Sequence, residues 1–162
     1  MFQRSFAILL VVLVAAGCAT LRPPIEQRTT EGLTAEQMFT YRVLTQNGRE
    51  PNFEERQTWR DAIDLKIEDY LRRHPEDANS LAVSKFRFLR QASVGMSKEQ
   101  ILILVGAPTE VTTDQAQMEK IARRFWKEIK GNATEAWVYP LGWNFYFAGT
   151  RLIEITQYLE DK

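Results

Sequence analysis

The sequence predicts an α+β protein: an N-terminal helical segment, then a small module of a helix on a three-stranded antiparallel sheet, with an amphipathic helix inserted. Three observations predict it. Capping signals and helical periodicity fill the stretch from Thr34 to about Ala92. A short helix between Ser97 and Gly106 opens the last part. Aromatic and β-branched runs separated by turn residues close it.

The chain has 162 residues, 44% of them hydrophobic, with 21 basic and 21 acidic side chains. A core is affordable at this size, in one domain or two small ones. Balanced charge excludes a general nucleic-acid binder, which needs a basic surplus to neutralise phosphates. One cysteine excludes an intramolecular disulfide. One histidine excludes a multi-histidine metal site or a Cys-His finger. Neither a metal nor a cofactor is expected.

Residues 1–17 read as a secretion signal. Arg4 makes the start basic, residues 6–16 are apolar without interruption, and Ala15-Ala16-Gly17 supplies small residues before Cys18. The apolar run is 11 residues long, whereas a spanning helix needs roughly 20. Val14-Ala15-Ala16-Gly17-Cys18 resembles the lipobox of bacterial lipoproteins, although that family more often has Leu where Ala15 stands. The resemblance implies cleavage before Cys18, diacylglycerol on its thiol and an acyl chain such as palmitate on its new amine. Cys18 is thus the expected lipid attachment site. The signal takes one base and no acid with it, leaving a mature net charge of −1. Ala19 after the cysteine, where inner-membrane lipoproteins often carry Asp, implies the periplasmic face of the outer membrane. Residues 18–32 contain Pro23-Pro24 and no apolar periodicity, and read as a flexible tether.

Residues 33–92 read as helical. Thr34 and Gln37 have capping-box spacing, and Met38, Tyr41 and Leu44 share a face before Asn47-Gly48 stops the helix. Asn52 and Glu55 repeat the capping logic, and Trp59, Ile63, Ile67, Tyr70 and Leu71 follow at helical spacing as core. His74-Pro75 ends that helix, and Pro75 opens another with Leu81, Ala82, Phe86 and Leu89 inside. His74, beside Arg72 and Arg73, is weighed as a helix-terminal residue against a pH switch or ligand, with the first favoured.

Residues 93–162 form the sheet module. Ser97 and Gln100 make a third capping box; Gly106 and Pro108 end the helix. Residues 110–113 and 136–139 are short strands. In the last hairpin Trp143, Phe145 and Phe147 share one face, and Ile153 and Ile155 share one on the returning strand. One face of such a sheet is expected to be wet. Gly95-Met96-Ser97-Lys98-Glu99-Gln100, Gly106-Ala107-Pro108, Trp137-Val138-Tyr139 and Phe145-Tyr146-Phe147 with Gly149 together resemble the SmpA/OmlA family, the BamE-type lipoprotein domain of outer-membrane protein assembly. The resemblance covers residues 93–158. It implies two helices on a three-stranded antiparallel sheet and a cell-envelope role beside the β-barrel assembly machinery. No partner-binding residue carries over.

Residues 114–130 depart from that family, which has a short connection there. Met118, Ile121, Ala122, Phe125 and Ile129 line one face of an amphipathic helix capped by Asp114 and ended by Gly131. It either covers the sheet or offers a docking or membrane-surface face, and Trp126, off the stripe, would favour docking if exposed. Catalysis has little material. Cys18 is assigned to lipid, His74 has no nucleophile beside it, and no Gly-rich phosphate loop occurs. Glu154 faces away from the Ile153 and Ile155 side. Asn132-Ala133-Thr134 matches a glycosylation pattern by coincidence. The chain is expected to bind an envelope protein rather than catalyse.

Overall fold

The computed structural model describes residues 25–79 and 81–160. The predicted signal, Cys18 and the first part of the predicted tether lie outside the described residues. Two strands come first, β1 (Ile25–Thr29) and β2 (Glu31–Thr34). The helices α1 (Ala35–Asn47) and α2 (Phe53–Arg73) follow. A 3-10 turn at Pro75–Asn79 leads to α3 (Leu81–Ser84), which runs into a π-helical turn at Lys85–Leu89. Then come β3 (Gln91–Ser93), α4 (Lys98–Val105), β4 (Glu110–Thr112), α5 (Gln115–Ala122), a 3-10 turn at Arg123–Phe125 and α6 (Trp126–Ile129). A hairpin-linked run ends the chain: β5 (Glu135–Val138), β6 (Trp143–Ala148) and β7 (Arg151–Leu159).

The three capping boxes form as their spacing dictates. The Thr34 and Ser97 hydroxyls accept from the backbone N–H of Gln37 and Gln100, and the Asn52 amide oxygen accepts from that of Glu55. Each N3 side chain accepts from its N-cap backbone N–H in return. Such reciprocal caps satisfy donors that the first helical turn leaves orphaned, each worth about 1 kcal/mol. At the far end of α4, Gly106 has φ +72° and ψ −164°, a backbone region open in practice to glycine. A Cβ there would also stand 2.6 Å from the Arg42 guanidinium, which donates to the Val105 carbonyl at 2.5 Å.

The main sheet is antiparallel with order β1-β7-β6-β5-β4, and β2 and β3 pair separately. The three-stranded meander is present, flanked by β4 on one side and β1 on the other. Thus five strands replace the expected three, and the tether is shorter than the composition implied, because residues 25–29 and 31–34 are in strands. Ion pairing and amide pairing hold β1. Arg28 donates to Glu154 at 2.5 and 2.8 Å, and the Gln27 amide donates to that of Gln157 at 2.8 Å.

Both broad faces of the sheet are covered, so the expected wet face is dry at its centre. On one face Phe145, Phe147 and Ile155 pack with Met38, Ile63, Ile67, Phe86, Ile101 and Val105. This core draws on both the helical segment and the sheet module, so the two share one interior. On the other face Tyr146 and Ala136 pack under Met118, Ala122, Trp126 and Ile129. Each such large apolar side chain contributes about 1.5–3 kcal/mol on full burial.

Several expectations are corrected. A bulge sets Tyr146 opposite Glu154 but Phe147 opposite Leu152, leaving Ile153 as the extra residue. An extra residue breaks the two-residue alternation. Ile155 therefore joins the first core while Ile153 packs against the second. The helix expected over 114–130 is interrupted at Arg123, at φ 56° and ψ −128°. Trp126 is buried, and Phe125 and Ile121 lie at the margin of its cluster. Leu44 is exposed, with Val43 buried in its place, and Leu89 is 58% exposed. The wider π turn shifts the phase so that Phe86 alone of residues 85–89 points inward.

Candidate functional site

The predicted attachment site, Cys18, lies outside the described residues, and the structure does not bring it to another group. Among the described residues an apolar concavity lies on the α1–α2 hairpin. It is a groove of about 530 Å³ lined by Phe39, Val43, Thr58, Trp59 and Ala62, with Glu54 and Glu55 at one end. The Phe39 and Trp59 rings stack nearly parallel, 10° apart, with centroids 4.8 Å from each other. Both rings are half-buried, so one side of the stack stays in water. Phe53, at the start of α2, is 80% exposed. Around the other side of α1 a second groove, about 440 Å³, runs between Thr40, Tyr41, Leu44 and Leu141.

Ion pairs brace this hairpin. Arg49 binds Glu55 through two bonds of 2.8 Å. Those bonds, with the Asn52 backbone N–H, hold the Glu55 carboxyl down at about 2. Arg56 spans Glu36 at 3.2 Å and Glu50 at 3.5 Å. Exposed pairs of this kind contribute about 0–1 kcal/mol each to stability. Their effect is positional, since they hold the loop that joins the groove walls.

Helical spacing puts Trp59 on the core-facing stripe of α2. Ile63, Ile67 and Tyr70 are buried, and Trp59, one turn earlier, packs against the same core while part of its ring reaches the surface. The missed signal lay in α1. Its apolar residues, Met38, Phe39, Tyr41, Val43 and Leu44, spread around the helix instead of forming one stripe, as expected of a helix with apolar neighbours on more than one side.

A second, polar cleft of about 350 Å³ surrounds His74. The imidazole stacks on Tyr70 at 4.4 Å and faces Glu76 through Nδ1 at 3.2 Å and Glu99 through Nε2 at 3.5 Å. The Tyr70 hydroxyl donates to Asp77 at 2.5 Å and lies 3.4 Å from Ser97 Oγ. Burial, reinforced by Asp77, pushes that phenol up to about 12. Ser97 Oγ is occupied as a helix cap. Glu76 and Glu99 therefore face His74 while Asp77 accepts from the Tyr70 hydroxyl, an arrangement that joins the end of α2 to the start of α4. It does not present a nucleophile beside a base. Among the described residues no group of three or more His, Cys, Asp or Glu side chains is placed to hold a metal ion, and no helix is long and apolar enough to cross a membrane.

No family model, curated protein or solved structure matches the chain.

Proposed function

We propose that this chain is a lipid-anchored protein of the bacterial envelope that binds another protein and performs no chemistry of its own. The anchor is Cys18, at the end of the short apolar run, and the location is the periplasmic face of the outer membrane. The observation that carries the binding role is the stacked Phe39–Trp59 pair, half in water, in an apolar groove on a braced helical hairpin. Aromatic anchors at the edge of a rigid concavity are the groups that dominate protein–protein affinity. The resemblance of residues 93–158 to the SmpA/OmlA family supports outer-membrane protein assembly as the setting. The inserted α5–α6 segment and the preceding helical layer, both foreign to that family's small members, favour a second setting: a different envelope complex with no role in barrel assembly.

The test combines anchor and groove. Wild-type, Cys18→Ala and Trp59→Ala chains carrying a tag are isolated from gently solubilised membranes after labelling with radioactive palmitate. Label on wild type and none on Cys18→Ala is the expected anchor result. Co-purification of the β-barrel assembly machinery, diminished several-fold by Trp59→Ala, is the expected partner result. A different complex with the same Trp59 dependence selects the second setting. Binding indifferent to Trp59 refutes the groove.

A further inference from the structure

The inserted segment that covers the second face of the sheet also carries a cluster of cations beside the point where the chain enters the fold. Lys120, Arg123, Arg124, Lys127 and Lys130 are all exposed on it, against two acids of the same segment, Glu119 and Glu128. Glu128 lies near enough to Arg28 to support that residue's charge. A cleft of about 250 Å³ opens between Lys120, Ile121 and Arg123 on one side and Gly142, Asn144 and Tyr158 on the other. Its walls carry two cations, an amide and a phenol, and no carboxylate.

Arg123 is the informative residue. Its positive φ, with ψ −128°, lies where a side chain costs strain and glycine does not. The guanidinium nevertheless lies over the Tyr158 ring, its carbon 3.5 Å from the centroid. Its carboxylate contact is loose. Glu26 stands 3.8 Å from Arg123 and 3.5 Å from Arg124, longer than the roughly 2.7–2.9 Å of a firm charge-assisted bond. Glu160, the other acid nearby, accepts from the Tyr158 hydroxyl at 2.7 Å. Lys120 has no ion-pair partner among the described residues. The strained position thus presents a cation that the fold itself leaves underused.

The location says what it faces. Arg124 donates to the Glu26 backbone carbonyl at 2.8 Å, which ties the cluster to the first residues of β1. Six residues, 19–24, lie between Cys18 and Ile25, and the seven steps from one to the other span at most about 25 Å. A chain anchored at Cys18 therefore keeps this corner within reach of the headgroup layer. Basic side chains sense the anionic surface within about a Debye length, about 8–10 Å at ordinary ionic strength.

We propose that the α5–α6 segment is the membrane-facing side of the protein, and that the cleft between Lys120, Arg123 and Tyr158 takes a phosphate of an anionic phospholipid. The proposal rests on the lipid anchor at Cys18 for its geometry and on the cleft for its chemistry. The α1–α2 groove is then left for the protein partner.

The test uses the full chain purified from membranes and placed in vesicles of phosphatidylcholine alone, or with a third of the lipid replaced by phosphatidylserine. Surface amines are acetylated and read by mass spectrometry, with exposed Lys66 on α2 as the internal reference. Slowing of Lys120 labelling by several-fold on the anionic vesicles only, with Lys66 unchanged, is the expected result. Arg123→Gly, which suits that backbone and removes the cation, is expected to cut the protection while leaving thermal stability intact. Equal labelling of Lys120 on both vesicles overturns the proposal. Protection that survives Arg123→Gly overturns the role of the cleft. The same spectra report the mass on Cys18, so failure of the anchor is seen separately from failure of the cationic face.

Discussion

Gly142 offers a severe and quantitative test of how the last hairpin is held. It sits in the β5–β6 turn at φ +75°, following Leu141 at φ +61°. A Cβ on Gly142 would lie 1.8 Å from the Tyr158 carbonyl oxygen and 2.6 Å from its carbon. Both atoms are backbone, so no rotamer change relieves the overlap. The strands must part by more than an ångström, which breaks the Tyr158 N–H bond to the Gly142 carbonyl at 2.9 Å and the Gln157 amide bond to the Leu141 carbonyl at 3.1 Å. The left-handed backbone costs about 1–2 kcal/mol for alanine, and each lost bond about 1 kcal/mol. Gly142→Ala is therefore expected to destabilise by about 3–4 kcal/mol. At roughly 2.1 cal/mol/K per residue over the 135 described residues, that lowers Tm by about 11–14 °C. Near-ultraviolet circular dichroism of the tryptophans on heating measures it. Gly131→Ala is the control, because nothing lies within 4 Å of its added Cβ and its φ is not positive; it is expected within about 1 kcal/mol of wild type, on the stabilising side. A Gly142→Ala Tm within about 2 °C of wild type would refute the reasoning.

Phe86 is fully buried, edge-on to Tyr70 at 5.3 Å, so Phe86→Ala is expected to cost about 3–5 kcal/mol in urea unfolding. Phe53→Ala, at an 80% exposed position, is expected to stay within about 0.5 kcal/mol. Burial works to raise the Glu135 carboxyl, but hydrogen bonds from Lys98 and Trp137 outweigh it and hold the group below its usual range. A lowered folded value means stability present above the unfolded value of 4.5 and lost as pH falls below it. Glu135→Gln is expected to flatten that acid limb of the urea midpoint against pH, and an unchanged slope would remove Glu135 from the account. Burial pushes Tyr146 up to about 12, with Thr156 opposing. Its contribution is whole below the ordinary value of 10.0 and is lost as pH rises from there through about 12. Phenolate absorbance in the folded chain is expected to lag behind that of the urea-unfolded chain, and Tyr146→Phe to reduce the lag.

Local chemistry was legible in the sequence because it acts between near neighbours. The three capping boxes, the stop at Gly106 and the strands around Trp137 and Phe145 depend on side chains within a few residues of the backbone they satisfy. The α1–α2 groove was legible only in part. Phe39 and Trp59 were visible as aromatic residues, but which of their faces is covered depends on how α1 lies against α2, and that follows from the core beneath both. The cationic cleft was beyond sequence, since Lys120 and Arg123 meet Asn144 of β6 and Tyr158 of β7, which lie far from them along the chain.

By itself the sequence determined the order and type of most elements, the apolar start ending at Cys18, and the absence of material for a disulfide or a multi-histidine site. Tertiary structure alone decided that Ile25–Thr29 is a strand, because its partner β7 lies more than a hundred residues away and its polar side chains show no burial pattern. It decided the bulge at Ile153, because inserting one residue trades local alternation for two covered faces. It also decided that Trp126 is inside. A break at Arg123 resets the helical phase, and apolar area on the sheet, which no window along the chain contains, selects the side chain that fills it.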